Sequence, residues 1–200
     1  MQLSPRENIA KIRSRIMLSS YNDDETSVRK FCDSIYPELR ATSLSALVNM
    51  RKATEDDGRR AISDTSSIVQ RRACELAPHL PGANYLSLLL KQDHLVTEAA
   101  CFALGEVRDQ QAVEELIAIA SKHRDALCRE SAVAALGALG NKVALPQLIK
   151  SLDDSAPIRR RAVLALSVFI DNDAAIAAIR SRSDDKDWQV RQIVENILIR

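Results

Sequence analysis

Hydrophobic and polar positions along the chain follow a pattern that returns about every thirty residues. Each return contains a small residue, and in five of the six returns a leucine stands four positions later. The small-residue positions are Ser43, Ala73, Ala100, Ala132, Ala162 and Val194, separated by 30, 27, 32, 30 and 32 residues. A period of this length predicts stacked helical repeats.

Two polar positions recur with the same period. The position three residues before the small residue is occupied by Arg40, Gln70, Thr97, Arg129, Arg159 and Arg191. Shortly before each return stands an aspartate: Asp33, Asp64, Asp93, Asp125, Asp154 and Asp185. A carboxylate at the start of a helix accepts hydrogen bonds from free backbone N–H groups and meets the positive end of the helix dipole. We therefore expect these aspartates to cap the helices that follow them.

Each repeat of the pattern is predicted to form a helical hairpin. Its first helix contains the small residue, which lets neighbouring backbones approach closely. The turn that follows is marked by Pro81-Gly82, Gly105, Gly140-Asn141 or Asp171-Asn172-Asp173. The second helix has apolar residues at helical spacing, as in segments 112–120 and 143–152, so one stripe is buried and the other face is solvated. The pattern thus predicts an all-α protein of about six hairpin units.

The two ends of the chain fit the repeat less well. Residues 1–32 are predicted to form a degenerate capping unit, with Ser4 as the N-cap of its first helix and a second helix over 25–35. Segment 53–60 is almost entirely polar, which predicts a short or poorly packed second helix. The last repeat contains a first helix and no second helix, so it is predicted to be a half repeat. We expect one α-solenoid domain over residues 1–200.

Segments 125–140 and 185–191, which read DALCRESAVAALGALG and DKDWQVR, resemble HEAT repeats. More narrowly, they resemble the short bacterial type called phycobilisome-lyase HEAT-like repeats, over about residues 33–200. The resemblance implies a right-handed α-α superhelix (HEAT-repeat solenoid) with the second helices lining a concave face. It also implies a ladder of Asp and Arg side chains between repeats, weakened where Gln70 and Thr97 replace arginine.

Composition narrows the classes of partner. The chain has 28 Lys+Arg against 27 Asp+Glu and a net charge of +1, whereas strong non-specific nucleic-acid binding usually shows a basic excess. The N-terminus has no apolar signal-peptide core and no segment reaches the length of a membrane span. These features predict a cytoplasmic protein with no membrane partner.

Residues that could carry catalysis are scattered. His79, His94 and His123 fall in or near different turns and have no metal-ligand spacing, and no nucleophile or phosphate-loop motif is present. The sequence therefore favours a protein without a catalytic, metal or cofactor site. The cysteines lack CxxC spacing and are predicted to be buried thiols: Cys32, Cys74, Cys101 and Cys128.

The leading functional prediction is a non-enzymatic scaffold or adaptor that binds a partner protein or peptide on the concave face of the solenoid. Exposed positions of the second helices are the candidate contacts: Tyr85, Glu114, Gln147, Lys150, Arg180 and Arg182. Tyr85 is the best anchor by residue type, and a core position in its helix is an equally good interpretation.

Two other functions remain open at this stage. Basic groups at Arg71-Arg72, at 159–161 and at Arg180 and Arg182 could align into a stripe for DNA, as in solenoids of the DNA-alkylation-repeat type. The lyase-like repeat type also suggests handling of a bilin chromophore, although no motif singles out that activity. The identity of the partner and the oligomeric state do not follow from the sequence.

Overall fold

The computed structural model describes residues 5–89, 91 and 93–199, and within them all regular structure is helical. The predicted all-α class is thereby confirmed, while the predicted cap at Ser4 lies outside the described residues. The α-helices are α1 (Pro5–Tyr21), α2 (Glu25–Arg29), α3 (Pro37–Asn49), α4 (Glu55–Ile62), α5 (Ser67–Glu75), α6 (His94–Glu106), α7 (Val113–Lys122), α8 (Ala126–Leu139), α9 (Leu145–Lys150), α10 (Ala156–Leu166), α11 (Asp173–Arg180) and α12 (Trp188–Leu198). Short 3-10 segments join them at Ala77–His79, Tyr85–Leu88, Gln110–Ala112, Lys142–Ala144, Ser151–Asp153 and Ser167–Phe169.

The chain divides into two compact units, residues 1–96 and 97–200. The first contains α1 to α5, and the second contains most of α6 and all of α7 to α12. Each unit has its own buried core. The single solenoid domain over residues 1–200 stays a prediction.

The core of the first unit gathers side chains from its first three helices. The residues are Ile16, Val28, Leu39, Ala46 and Leu47. The second helix of this capping unit is shorter than the predicted 25–35 segment, because α2 ends at Arg29. The backbone then turns, with Phe31 N–H donating to the Val28 carbonyl and Ser34 N–H donating to the Phe31 carbonyl.

Helix α4 is short, as predicted for the polar segment, but it packs closely. Thr54 and Asp57 form a reciprocal capping box at its start. Asp57, Gly58, Ala61 and Ile62 are buried. A Cβ atom on Gly58 would overlap the carbonyl oxygen of Pro81, so the helix lies directly against that turn. Its polar residues therefore do not prevent close packing, because glycine allows backbone-to-backbone contact.

The positions of the repeat are buried as the pattern predicts. All six small-residue positions have at most 1% of their surface exposed, and four of the leucines that follow are fully buried. Gly105, by contrast, does not mark a turn. It is the last residue but one of α6, where a Cβ atom would come within 3.0 Å of Ala135 Cα. Gly137 lies in the same way against Ala165, so these glycines bring first helices together.

The cysteine prediction holds for three of the four residues. Cys74, Cys101 and Cys128 are buried and Cys32 is half-buried, and all four are thiols rather than disulfides. Burial raises the pKa of the Cys128 thiol to about 11. The Cys128 side chain therefore stays protonated at neutral pH.

The arginine ladder implied by the resemblance is present within both units. Arg40 pairs with Asp64, Arg129 with Asp154 and Arg159 with Asp185, each through two hydrogen bonds of 2.7 to 3.0 Å. The same arginines also donate to a backbone carbonyl five or six residues earlier. Each one thus holds its own loop and the loop of the next hairpin.

Gln70 holds the loop that precedes its own helix but does not bridge to the next hairpin. Its side-chain NH₂ group donates to the carbonyls of Ile62 and Asp64, at 3.2 and 2.8 Å. Both amide hydrogens are then used on carbonyls that precede α5, so the amide has no donor left to bridge forward. The predicted weakening of the ladder at this position follows from that geometry.

The aspartates before the first helices have two roles rather than one. Asp125 is the N-cap of α8 and accepts from Leu127 N–H at 2.8 Å. Asp64, Asp154 and Asp185 instead stand one or two residues ahead of the N-cap and accept from the ladder arginines. Each of these three carboxylates also accepts one backbone N–H within its own loop. The prediction that all six aspartates cap the following helix is therefore wrong for these three, and also for Asp33, because the N-cap of α3 is Tyr36.

Candidate interaction surfaces

Two kinds of surface could bind a partner, the row of second helices and the grooves between first helices. No group of His, Cys, Asp and Glu side chains in the described part of the chain has the geometry of a metal site. His79 ends a 3-10 segment, His94 begins α6, and His123 follows α7. The His123 ring nitrogen accepts from the backbone N–H of Asp125 at 3.1 Å, which gives this residue a role in its turn.

The predicted contacts on the second helices fall mainly in the second unit. Helix α9 contacts both α7 and α11. Asn141 donates to Gln110 ahead of these helices, and Arg182 donates to Asp153 behind them. The three helices therefore run parallel in one row.

This row places its charges at opposite ends. Lys150 and Arg180 are exposed at the carboxyl ends of α9 and α11, and Glu114 is exposed at the amino end of α7. Gln147 is half-buried, and its amide donates to Ser151 Oγ within the same turn. Arg182 is half-buried and paired with Asp153 at 2.6 Å. The structure thus leaves three of the predicted contacts exposed.

Tyr85 does not belong to this surface. Its side chain is 4% exposed, and its hydroxyl donates to the Ala73 carbonyl at 3.3 Å. Burial raises the pKa of the Tyr85 hydroxyl well above its ordinary value. The prediction that Tyr85 is an exposed contact is wrong, and the core interpretation is correct, because Tyr85 lies in a short 3-10 segment folded back on α5.

A groove of the first unit is formed by first helices instead. It has a volume of about 860 Å³ and is called the first-unit groove below. Its lining residues are Ala10, Arg13, Ser14, Met17, Leu18 and Tyr21 on α1, Glu38, Ala41, Thr42 and Ser45 on α3, and Ile68, Arg71, Arg72 and Glu75 on α5. Helix α3 contacts both α1 and α5, so it forms the floor and the other two helices form the walls.

Small side chains keep the floor of the first-unit groove low. Ala41 and Thr42 lie on one turn of α3, and Ser45 lies on the next turn. The walls carry larger apolar side chains that face water. Leu18 is 60% exposed, Tyr21 84% and Ile68 44%. Large apolar groups clustered at a depression are typical of a binding site.

The second unit has a smaller groove between α6 and α8, of about 410 Å³. Phe102 and Leu127 are exposed at its edge. Its charged residues are Glu98, Glu106, Glu130 and Arg161. Arg161 is paired with Glu130 at 3.1 Å, so the acidic groups are in excess here.

The arginines that could have formed a basic stripe are mostly occupied within the chain. Arg72 pairs with Glu75 and Arg161 with Glu130. Arg159 pairs with Asp185, and Arg160 donates to the side chain of Gln189. These bonds neutralise or engage the very groups on which a phosphate-binding stripe would depend.

The exposed apolar residues of α1 were not among the candidates from the sequence, although a signal for them exists. Ile9, Ile12 and Ile16 mark the buried face of this helix. Leu18 and Tyr21 lie on the opposite side of a 3.6-residue helix from Ile16. Large apolar residues off the buried stripe indicate a second, exposed contact face.

Comparison with known proteins supports the repeat assignment. Residues 82–167 match the family model described as HEAT repeats. The HEAT-like resemblance inferred from the sequence is therefore confirmed over that segment, and the narrower bacterial type stays a prediction. No curated protein sequence matches the chain.

Solved structures of helical repeat proteins resemble most of the chain. YibA of Escherichia coli is 16% identical, with a TM-score of 0.63 over 97% of this chain and 74% of that one. A designed armadillo repeat protein in complex with the peptide (KR)4 is also 16% identical, with a TM-score of 0.52 over 96% of this chain and 89% of that one. Human deoxyhypusine hydroxylase is 19% identical, with a TM-score of 0.49 over 92% and 75%. At these identities the likeness concerns the fold, which is that of HEAT and armadillo-like repeat proteins.

Proposed function

We propose that this protein is a non-enzymatic interaction scaffold that binds a partner protein through the first-unit groove. The observation that carries the proposal is the exposure of Leu18, Tyr21 and Ile68 around a groove of about 860 Å³. Tyrosine is enriched among the residues that dominate binding energy. Burying these three side chains under a partner would remove a large apolar area from water.

The fold is compatible with this role. Repeat stacks expose long surfaces whose side chains vary while the buried positions stay the same. The designed armadillo protein was solved with a bound peptide, which supports peptide binding by this class of architecture. The exposed charges of the second helices, Glu114, Lys150 and Arg180, form a separate candidate surface in the second unit.

The two surfaces can be separated by capture experiments with matched variants. The full chain serves as bait in three forms: wild type, Leu18→Ser/Tyr21→Ser, and Lys150→Gln/Arg180→Gln. Proteins retained by each bait are compared quantitatively by mass spectrometry at the same salt concentration. All four substitutions replace exposed side chains, and thermal unfolding of each bait confirms that it is folded.

We expect a partner that the wild type and the Lys150→Gln/Arg180→Gln variant retain and the Leu18→Ser/Tyr21→Ser variant loses. Loss only from the Lys150→Gln/Arg180→Gln variant would move the site to the second helices. Equal retention by all three baits would contradict both surfaces. Salt-sensitive retention of DNA without a protein partner would favour the nucleic-acid alternative.

A helical membrane span is not part of the proposal. No helix in the described residues combines the length and the apolar character that crossing a bilayer requires. Cytoplasmic localisation stays a prediction.

A further inference from the structure

The charges of the first-unit groove are not balanced within it. Arg72 is neutralised by Glu75 at 2.6 Å. Arg13 and Arg71, on opposite walls, form no ion pair with any residue that the structure describes. The Nε atom of Arg13 donates to Thr42 Oγ1 at 3.0 Å, which leaves its terminal nitrogens available. Two guanidinium groups therefore flank the floor with most of their donors unused.

The helices that carry these arginines run in the same direction. Arg13 donates to Thr42, and one to two turns later Ser20 donates to the Ala46 carbonyl, so α1 and α3 are parallel. Arg40 near the start of α3 pairs with Asp64 just before α5, so α3 and α5 are also parallel. The groove is thus a straight channel bounded by two parallel helices.

The spacing of the three packed helices determines what the channel can hold. Packed helices lie about 8–10 Å apart, so the two walls, separated by the floor helix, stand about two such spacings apart. An α-helix with side chains is about 10–12 Å across. A helix lying on the small side chains of α3 would therefore contact both walls at once, as in helix-in-groove recognition.

We propose that the first-unit groove binds an acidic amphipathic helix of a partner protein, an inference that rests on the function proposed above. Apolar residues of the bound helix pack on Leu18, Tyr21 and Ile68. Its carboxylates pair with Arg13 and Arg71, because a guanidinium binds a carboxylate through parallel hydrogen bonds. The groove defines the chemistry of the partner and not its identity.

Nucleic acid fits this groove less well than an acidic helix. Three arginines and two glutamates line the channel, which gives a small positive excess and not the continuous basic surface that a phosphate backbone requires. Leu18 and Tyr21 add exposed apolar surface to the groove along α1. A phosphate backbone makes no favourable contact with such a surface. An amphipathic helix with one apolar face and acidic residues beside it matches both the exposed apolar side chains and the unpaired arginines of the groove.

The test uses a displayed library of amphipathic helical peptides of about five turns. A leucine stripe is constant, and the remaining surface positions are drawn from Glu, Lys and Gln. The full chain is the bait, and the enriched pool is sequenced. We expect enrichment of Glu over Lys at the positions flanking the leucine stripe. A pool enriched in Lys, a pool without preference or no retained peptide would each overturn the inference.

Charge reversal then locates the site. The Arg13→Glu/Arg71→Glu variant is compared with Arg15→Glu/Arg124→Glu, which has the same net charge and changes exposed residues outside the groove. We expect the selected acidic peptide to bind the groove variant about tenfold more weakly, and the control nearly as well as the wild type. Selection on the groove variant should enrich Lys. Equal weakening in both variants would contradict binding in this groove, as would displacement of the peptide by a DNA duplex.

A single Arg71→Gln variant, which changes one half-buried side chain, repeats the measurement if the double variant is unfolded. The outcomes also separate the two proposals. If a native partner still depends on Leu18 and Tyr21 while the library shows no preference for Glu, the interaction scaffold stands and the acidic helix does not.

Discussion

Arg159 and Asp185 form the most buried of the described ion pairs, with hydrogen bonds of 2.9 Å from Nε to Oδ2 and 2.7 Å from Nη2 to Oδ1. Their side chains are only 7% and 4% exposed. The pair joins α10 to the loop before α12. Arg159 also donates to the Asp154 carbonyl at 2.8 Å, so one side chain holds two inter-helix loops.

Breaking this pair should destabilise the protein strongly. Arg159→Gln leaves the Asp185 carboxylate without its charged partner, and losing one member of a buried pair costs about 3 kcal/mol. Urea unfolding followed by circular dichroism measures the change. The control is Arg161→Gln, whose partner Glu130 lies at 3.1 Å and whose side chain is 52% exposed. Such exposed pairs contribute less than about 1 kcal/mol, so equal losses in the two variants would contradict the account of the ladder.

The same pair predicts a pH dependence. Hydrogen bonds from Arg159 lower the pKa of the Asp185 carboxyl, against the opposing effect of burial. A carboxyl whose pKa is lower in the folded state than in the unfolded state, about 3.9, stabilises the fold at higher pH. That contribution is lost as the pH falls through the folded-state pKa.

We therefore expect the difference in unfolding free energy between wild type and Asp185→Asn to be constant above about pH 5 and to shrink below about pH 4. Urea titrations over this range give the difference directly. If the difference in unfolding free energy stays unchanged down to about pH 2, the ionised carboxylate is not the stabilising species.

Gly137 and Ala165 lie where α8 and α10 meet. A Cβ atom on Gly137 would stand 2.6 Å from Ala165 Cβ and 2.8 Å from its Cα. Because a backbone must move to make room, Gly137→Ala should cost about 1–3 kcal/mol, although alanine favours helices.

The Gly137→Ala/Ala165→Gly double variant tests this contact. Moving the methyl group across the interface keeps the total volume, so we expect it to recover part of the loss in unfolding free energy. Additive losses, with the double variant less stable than either single one, would show that the two residues do not share one contact.

Tyr85 has a structural role in this fold, which its substitutions should reveal. Tyr85→Phe removes the hydroxyl bonded to Ala73 and should lower the unfolding free energy by about 1 kcal/mol. Tyr85→Ala also leaves a cavity and should cost about 3–5 kcal/mol. Thermal melts give both values. Because the side chain is buried, Tyr85→Phe should leave partner capture unchanged, and a selective loss of the partner would restore Tyr85 as a contact.

Local repetition explains which features were predictable from the sequence. A small residue and a leucine four positions apart lie on one face of a helix, so their burial follows from the period alone. The position three residues earlier recurs with the same period, and an arginine occupies it in four of the six repeats. The pairing of Arg40, Arg129 and Arg159 with the next aspartate was implied by the resemblance to HEAT repeats and not by the period itself.

The functional surface depended on information that no single hairpin contains. Whether Gly105 ends a helix or lies against Ala135, and whether Tyr85 faces water or Ala73, depends on which neighbour packs there. The first-unit groove likewise needs α1, α3 and α5 side by side, although their residues lie about thirty positions apart in the chain. The sequence by itself determined the helical repeats and their buried positions, because those obey a local period. Only the tertiary structure decided which apolar residues remain exposed, because exposure is set by packing between hairpins.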